Sequence, residues 1–294
     1  MNPKSLARKI MDKKVSVIIP CYNQGKYVSD AINSVLAQTY DNIEIVIVND
    51  GSTDNSSEVV KTFADKYKNI LFFDNQENKG VIYTRNMAIE AASGEYILPL
   101  DADDTIESTY IEKAVKILNE YPKIGIVYCK ARMFSSKNTY WNLKDFDKSN
   151  ILYDNCIFCS ALFRKSDFIK AGKYKDYMQY GCEDYDLWLS FIEQGFEVHR
   201  IDEILFNYRQ YEEDSRSTIC SKNQDNVWKA LIKKHIDLYL EDEQFVDKIH
   251  SDFKKINKKL KKYKKIYKIF LPIIITESIL LLFLIITFFI WGIK

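Results

Sequence analysis

The sequence is poor in the residues that punctuate or cross-link a chain. Of 294 residues only 9 are Gly and 5 are Pro, too few for a low-complexity linker protein or a fibrous repeat. No Gly-x-Gly-x-x-Gly and no Gly-Lys-Ser/Thr occurs, so neither a Rossmann dinucleotide site nor a P-loop is supported. The three histidines, His199, His235 and His250, match no motif and read as surface or structural residues. The six cysteines, at 21, 129, 156, 159, 182 and 220, show no short disulfide-framework spacing. The basic, polar segment from Met1 to Lys14 has no apolar core of signal-peptide length. Reduced thiols in a cytosolic compartment are therefore expected. Cys156 and Cys159 form a C-x-x-C inside an apolar run, with no second pair to complete a zinc site. A buried strand over 156–163 is the expected reading.

Net charge is also nearly absent, at +1 from 42 Lys and Arg against 41 Asp and Glu. It is the sum of two unlike parts. Nine lysines crowd between Lys254 and Lys268, and beyond them Glu277 and Lys294 cancel; taking nine from +1 leaves −8 on residues 1–253. An acidic body argues against nucleic-acid binding, which needs a basic footprint. After the lysines, residues 269–293 are apolar but for Thr276, Glu277, Ser278 and Thr287. As a helix this run is about 37 Å long, enough for a hydrocarbon core of about 30 Å. An interfacial hairpin or a buried core helix competes with that reading. The lysines favour a span, because they match the positive-inside rule and attract anionic lipid. One C-terminal transmembrane helix in the inner (plasma) membrane is expected, with residues 1–268 on the cytoplasmic side.

Within the body, short apolar β-branched runs alternate with helical patterns. Strands are expected at 15–20, 43–48, 70–73 and 96–100, with helices after each. Four alternations within 120 residues indicate an α/β fold with a mostly parallel sheet, covered by helices on both faces. Ligands in such sheets bind beyond the carboxyl ends of the strands, which directs attention to the loops at Cys21, Asn49 and Asp101. The second half is less regular, with strands expected at 124–129 and 196–208, a helix at 183–194, and a polar helix over 217–250 that continues into the lysine segment.

Two acidic groups carry candidate chemistry. Asp101, Asp103 and Asp104 follow an apolar strand, and aspartates at i and i+2 leaving a strand end converge on one side. Carboxylates that close repel, and Mg²⁺ or Mn²⁺, bridging to a substrate diphosphate, relieves the repulsion. A solvated turn capping the next helix explains the same residues equally well. Glu183 and Asp184 open a helix, where carboxylates favour the dipole; one of them held there can also serve as a general base, which leaves Asp186 structural.

Taken in order, Val15-Ser-Val-Ile-Ile-Pro-Cys-Tyr-Asn23, Ser34-Val-Leu-Ala-Gln-Thr-Tyr40, Val48-Asn-Asp-Gly-Ser-Thr-Asp54, Asn78-Lys-Gly80 with Arg85-Asn86, Gly94-Glu-Tyr, Asp101-Ala-Asp-Asp104 and Glu183-Asp-Tyr-Asp-Leu-Trp188 resemble family 2 glycosyltransferases of the GT-A fold. The resemblance covers about residues 13–215. It implies inverting transfer of a hexosyl or N-acetylhexosaminyl group from a nucleotide-diphosphate sugar, UDP-linked, to a glycan or lipid-linked glycan in surface polysaccharide biosynthesis. By the same resemblance Pro20, Tyr22 and Asp50 hold the nucleotide, Arg85 lies in the segment closing over it, Asp101 sits near the ribose and Asp103 ligates the metal. Asp184 is then the base, with Glu183 the fallback. Transfer to polyprenyl phosphate, or a non-catalytic membrane scaffold, are the alternatives. The sequence departs from the family at Asn49, where an Asp is frequent, and after Arg209, where a His is common and the chain reads Gln210-Tyr-Glu-Glu-Asp-Ser215. The organisation expected is a catalytic domain over 1–215, a helical extension over 216–253, a basic segment over 254–268 and the span over 269–293.

Overall fold

The computed structural model describes residues 13–136, 138–210 and 220–291, with the side chains at 266, 267, 269, 270 and 272–291 outside that description. Four strands form the first half of one sheet: β1 (Val15–Cys21), β2 (Ile43–Asp50), β3 (Ile70–Asn75) and β4 (Tyr96–Pro99). They run parallel in the order β3-β2-β1-β4. Helices α1 (Val28–Leu36), α2 (Ser56–Lys66) and α3 (Val81–Ala91) make the crossovers, and α4 (Tyr110–Glu120) follows. Every residue of β2 is buried, as a strand covered on both faces requires, so its run reads apolar rather than alternating. This half follows the expected alternation closely.

The second half corrects two expectations. Beyond β4 the order continues β8 (Leu162–Arg164), β6 (Ile124–Ser135), β9 (Glu197–Gln210) and β5 (Thr105–Ile106), with β7 (Thr139–Trp141) on β6. β8 is antiparallel to both β4 and β6, while β6 and β9 are parallel. The sheet is therefore mixed, and parallel only through its first four strands. The strand expected over 156–163 shortens to β8. Upstream of it the carbonyl of Ile157 accepts from Trp188 Nε1 at 3.1 Å and that of Ser160 from the Tyr110 hydroxyl at 2.7 Å. Side chains, not a ladder, satisfy this buried backbone. An apolar run alone cannot distinguish the two.

Helices α5 (Lys165–Ala171) and α6 (Glu183–Glu193) pack beside β8, and α7 (Gln224–Lys234), α8 (Ile236–Glu241) and α9 (Glu243–Trp291) follow. The single polar helix expected over 217–250 is thus interrupted, at the buried His235 and at Asp242. The chain divides into two compact units, one reaching Leu238 and one from Tyr239 onward. In the second unit α9 carries its lysines on an exposed face from Lys254 to Lys265. Among the described residues no helix is long and apolar enough to cross a membrane; the expected span over 269–293 falls on side chains outside the description.

The cysteines hold a further correction. Cys182 and Cys220, 38 residues apart, are joined by a disulfide, and the remaining four are free. Their spacing carries no local signal, because only the fold brings the start of α6 to the start of the C-terminal helices. At the other end of the site Gly51, with φ +67°, turns the chain after β2, and a Cβ there would lie 2.6 Å from the backbone carbon of Glu77. Gly51→Ala is expected to lower stability by at least about 1–3 kcal/mol, the cost of a left-handed non-glycine residue, measured as a shift of the urea midpoint; an unchanged midpoint would refute the close approach.

Candidate active site

Three parallel strands deliver their carboxyl ends to one edge. β1 ends at Cys21 with Tyr22 next, 46% exposed; Pro20, one residue before the end, pairs with Val48 of β2. The loop after β1 is laced to the loop after β2: Asn23 Oδ1 accepts from Thr53 N at 2.8 Å, Gln24 N donates to Ser56 Oγ at 2.9 Å, and Gly25 N donates to Asp54 Oδ2 at 2.9 Å. Asp50, buried at the end of β2, accepts from Lys79 N at 3.0 Å, Gly80 N at 2.8 Å and Asn75 Nδ2 at 3.3 Å. Its carboxylate therefore holds the segment entering α3. Two oxygens offer about four lone-pair sites, so an acceptor position remains for a ligand. The Asn at 49 has a local reason. Its amide donates to Asp74 Oδ1 at 2.7 Å while its oxygen accepts from the Ser52 hydroxyl. An Asp at 49 would set two carboxylates against each other.

The turn after β4 carries Asp101, Asp103 and Asp104, and each has a different environment. Asp104 is buried, accepts from Arg209 N at 2.7 Å, and has its carboxyl pushed well above the ordinary range by burial, then by the Asp103 and Asp101 charges. Arg209, at the end of β9, also donates from Nε to the Asp103 carbonyl at 2.8 Å and from Nη2 to Asp30 at 2.7 Å. Its guanidinium lies over the rings of Tyr27 and Phe134, at 4.5 and 4.4 Å. Asp103 is thereby held by its backbone. Among the described residues no three His, Cys, Asp or Glu side chains surround a common point. The donor set still suits a hard cation: carboxylate oxygens at the turn, where the Asp103 and Asp101 charges add to burial in raising the Asp104 carboxyl. A Mg²⁺-type ion completes such a shell with substrate phosphates and water.

Arg85 on α3 ties this turn to the second acidic pair. Its side chain is buried, with Nη2 on Asp101 Oδ1 and Nη1 on Glu183 Oε1. Burial works against its charge, and the two carboxylates outweigh it. Arg85, expected in a segment closing over the nucleotide, bridges the two acidic groups in this structure. The buried carboxylate of Glu183 is bonded to Arg85.

Asp184, beside it, is half-buried. Its oxygens accept from Tyr185 N at 2.8 Å and Asn155 Nδ2 at 3.3 Å. Burial first, then the Glu183 charge, push its carboxyl up to about 7. The backbone entering this helix is left-handed at Gly181 and at Cys182, φ +108° and +63°, so α6 begins abruptly at the acidic pair. Cys159 closes the floor, its thiol 3.6 Å from Asp101 Oδ2. Burial raises Cys156 to about 11, and burial with the Asp101 charge lifts Cys159 well above its ordinary value; neither is a thiolate. Nothing local in the sequence marks Arg209 or Asn155. The loop where a His is common, 211–217, lies outside the described residues.

Arg85→Met strands two carboxylates without their cation. Loss of about 3–5 kcal/mol is expected, as for a buried pair broken on one side, with Arg85→Lys recovering part because an ammonium cannot fork between both. Chemical denaturation of the two variants measures it, and equal stability of Arg85→Met and the parent would dismiss the bridge.

Comparison with known proteins accords with this geometry. Residues 16–178 match the family model described as Glycosyl transferase family 2. An uncharacterized glycosyltransferase of Rickettsia typhi is 34% identical over 75% of this chain and 72% of its own. The glycosyltransferase GlyA of Streptococcus pneumoniae is 44% identical over 38% of this chain, a stretch equal to 16% of that larger protein. Among solved structures, S. aureus TarS 1–349 in complex with UDP-GlcNAc superposes with a TM-score of 0.66 at 21% identity, over 78% of this chain and 67% of that one. The mannosyltransferase PcManGT of Pyrobaculum calidifontis, with GDP-Man and Mn²⁺, superposes with a TM-score of 0.58 at 18% identity, over 78% and 70%. The fold is GT-A-like, a curled mixed sheet flanked by helices. With its strand-end loops, acidic turn and acidic helix start in the family's order, the chain belongs to glycosyltransferase family 2.

Proposed function

We propose that the protein is an inverting, metal-dependent glycosyltransferase moving one hexosyl or N-acetylhexosaminyl group from a UDP-sugar to a hydroxyl of a glycan or lipid-linked glycan in surface polysaccharide assembly. The observation that supports the reading is the Arg85 bridge, whose guanidinium pairs with Asp101 of the acidic turn and with Glu183, the neighbour of Asp184. The donor class is supported by TarS, crystallised with UDP-GlcNAc and with UDP.

Each residue then has a task set by its surroundings. Tyr22 offers an exposed ring to the base, Pro20 shapes the floor beneath it, and Asp50 supplies a fixed acceptor at the end of β2. Asp101 lies toward the ribose. Asp103, beside it, would hold a divalent cation, Mg²⁺ or Mn²⁺, which when bound neutralises charge on the departing nucleoside diphosphate. Asp184 takes the proton from the acceptor hydroxyl as its oxygen attacks the anomeric carbon. Glu183 is tied to Arg85 and cannot compete for that proton. A carboxyl raised to about 7 is a better base than an ordinary Asp and is still ionised in part at neutral pH. No protein nucleophile is required for a single inversion.

The lysines from Lys254 to Lys268 and the apolar run over 269–293 support a membrane tether with the enzyme on the cytoplasmic side. Confinement to the same surface raises the effective concentration of an acceptor carried on polyprenyl diphosphate.

Asp184→Asn is expected to reduce kcat by about 10²–10⁴-fold, the range for losing a general base, with donor KM unchanged, when nucleotide sugars are assayed with Mn²⁺. Asp103→Ala should abolish the response to added metal. Because Asp184 must be deprotonated to act, kcat/KM should rise with pH through an inflection near 7; a flat profile there would count against it as the base. Deleting residues 254–294 should move the protein to the soluble fraction, and persistent membrane association would argue against the tether.

A further inference from the structure

His235 lies beyond the family match, which ends at residue 178, yet it is wholly buried against the helix that carries the acidic pair. Its Nε2 is 3.1 Å from Asp186 Oδ1, and its Nδ1 is 2.8 Å from Glu193 Oε1 as an ion-pair contact rather than an aligned hydrogen bond. Asp186, 1% exposed, also accepts from the Tyr177 hydroxyl at 2.8 Å on the same oxygen. A carboxylate removed from water needs such donors. Asp186 and Glu193 are seven residues apart, about two turns along one face of α6, so the imidazole faces two turns of the helix and is hydrogen-bonded to the first.

The direction of that grip matters. At about 100° per residue, Asp186 points roughly 200° away from Asp184 around the helix. Arg85 holds the first turn through Glu183, and His235 holds the same turn from the side opposite Asp184. α7, which leads into His235, is fastened independently: Val227 and Leu231 are buried, and Trp228 meets the Tyr185 ring edge-on at 6.1 Å.

We propose that His235 is a positioning residue, fixing the rotation and depth of α6 so that Asp184 faces the acceptor hydroxyl. The inference rests on the reading of Asp184 as the base. Its weight comes from geometry: a displacement of about 1 Å at a reacting group can cost about 10²-fold in rate.

The test compares full-length wild type with His235→Leu, His235→Gln and Leu231→Ala, the last loosening α7 without touching the imidazole. Transfer or hydrolysis of UDP-GlcNAc is followed with Mn²⁺, and amide hydrogen exchange is followed across the first turn of α6. For His235→Leu a fall in kcat of about 10–100-fold is expected, with donor KM unchanged and faster exchange in that turn but not in β1 or β2. His235→Gln, which can still donate to Asp186, should recover most of both. If Leu231→Ala, at equal or greater loss of thermal stability, loses as much kcat, the effect is general loosening and the proposal fails. It fails also if His235→Leu keeps its kcat or leaves first-turn exchange unchanged. Should wild type turn over no donor, the functional reading falls, and the exchange data alone decide whether His235 holds the helix.

Discussion

The guanidinium of Arg85 is the contact on which the site depends. It is buried with a carboxylate on either side, one from the turn after β4 and one from the first turn of α6. Each of those acids is costly to bury alone, and the cation is costly to bury without both. The three groups therefore specify one arrangement, in which elements 98 residues apart in the chain meet. Once Glu183 is committed, its neighbour Asp184 inherits a repelling charge and a half-buried position, and its proton affinity rises as a result. The division of labour between two adjacent acids follows from which of them reaches the arginine.

A second arginine does comparable work on the acidic turn by a different route. Arg209 grips backbone and buried carboxyl while lying over two rings. It holds the turn in shape through the Asp103 carbonyl and the Asp104 carboxyl. Three acids in four residues would otherwise spread apart. The arginines that bond to the turn, Arg85 on Asp101 and Arg209 on Asp104, come from distant parts of the chain.

Much of the first half of the fold is legible in the chain. Strands buried on both faces read as apolar runs and amphipathic helices read at a period near 3.6, so β1 to β4 and α1 to α4 lie where the pattern places them. The second half is less legible, since an apolar stretch such as 156–163 is buried either as a strand or as a loop whose carbonyls are met by Trp188 and Tyr110. Its amino acids do not say which. In the site, Asp101, Asp103, Glu183 and Asp184 are visible as motifs, and the structure links the two acidic groups through Arg85. Arg85 is visible too, but its ion pairs with Asp101 and Glu183 are not, because a motif records position and not the nearest charge.

What the sequence by itself determined is the alternation of the nucleotide-binding half, the acidic clusters, and the separation of an acidic body from a lysine-rich segment. All three are periodic or compositional and so are written locally. Only the tertiary structure decided which of two adjacent acids pairs with the arginine, which cysteines are joined, and that His235 is buried rather than at the surface. A carboxylate, a thiol or an imidazole acquires its role from the groups within a few ångströms, and here those groups are supplied from far along the chain.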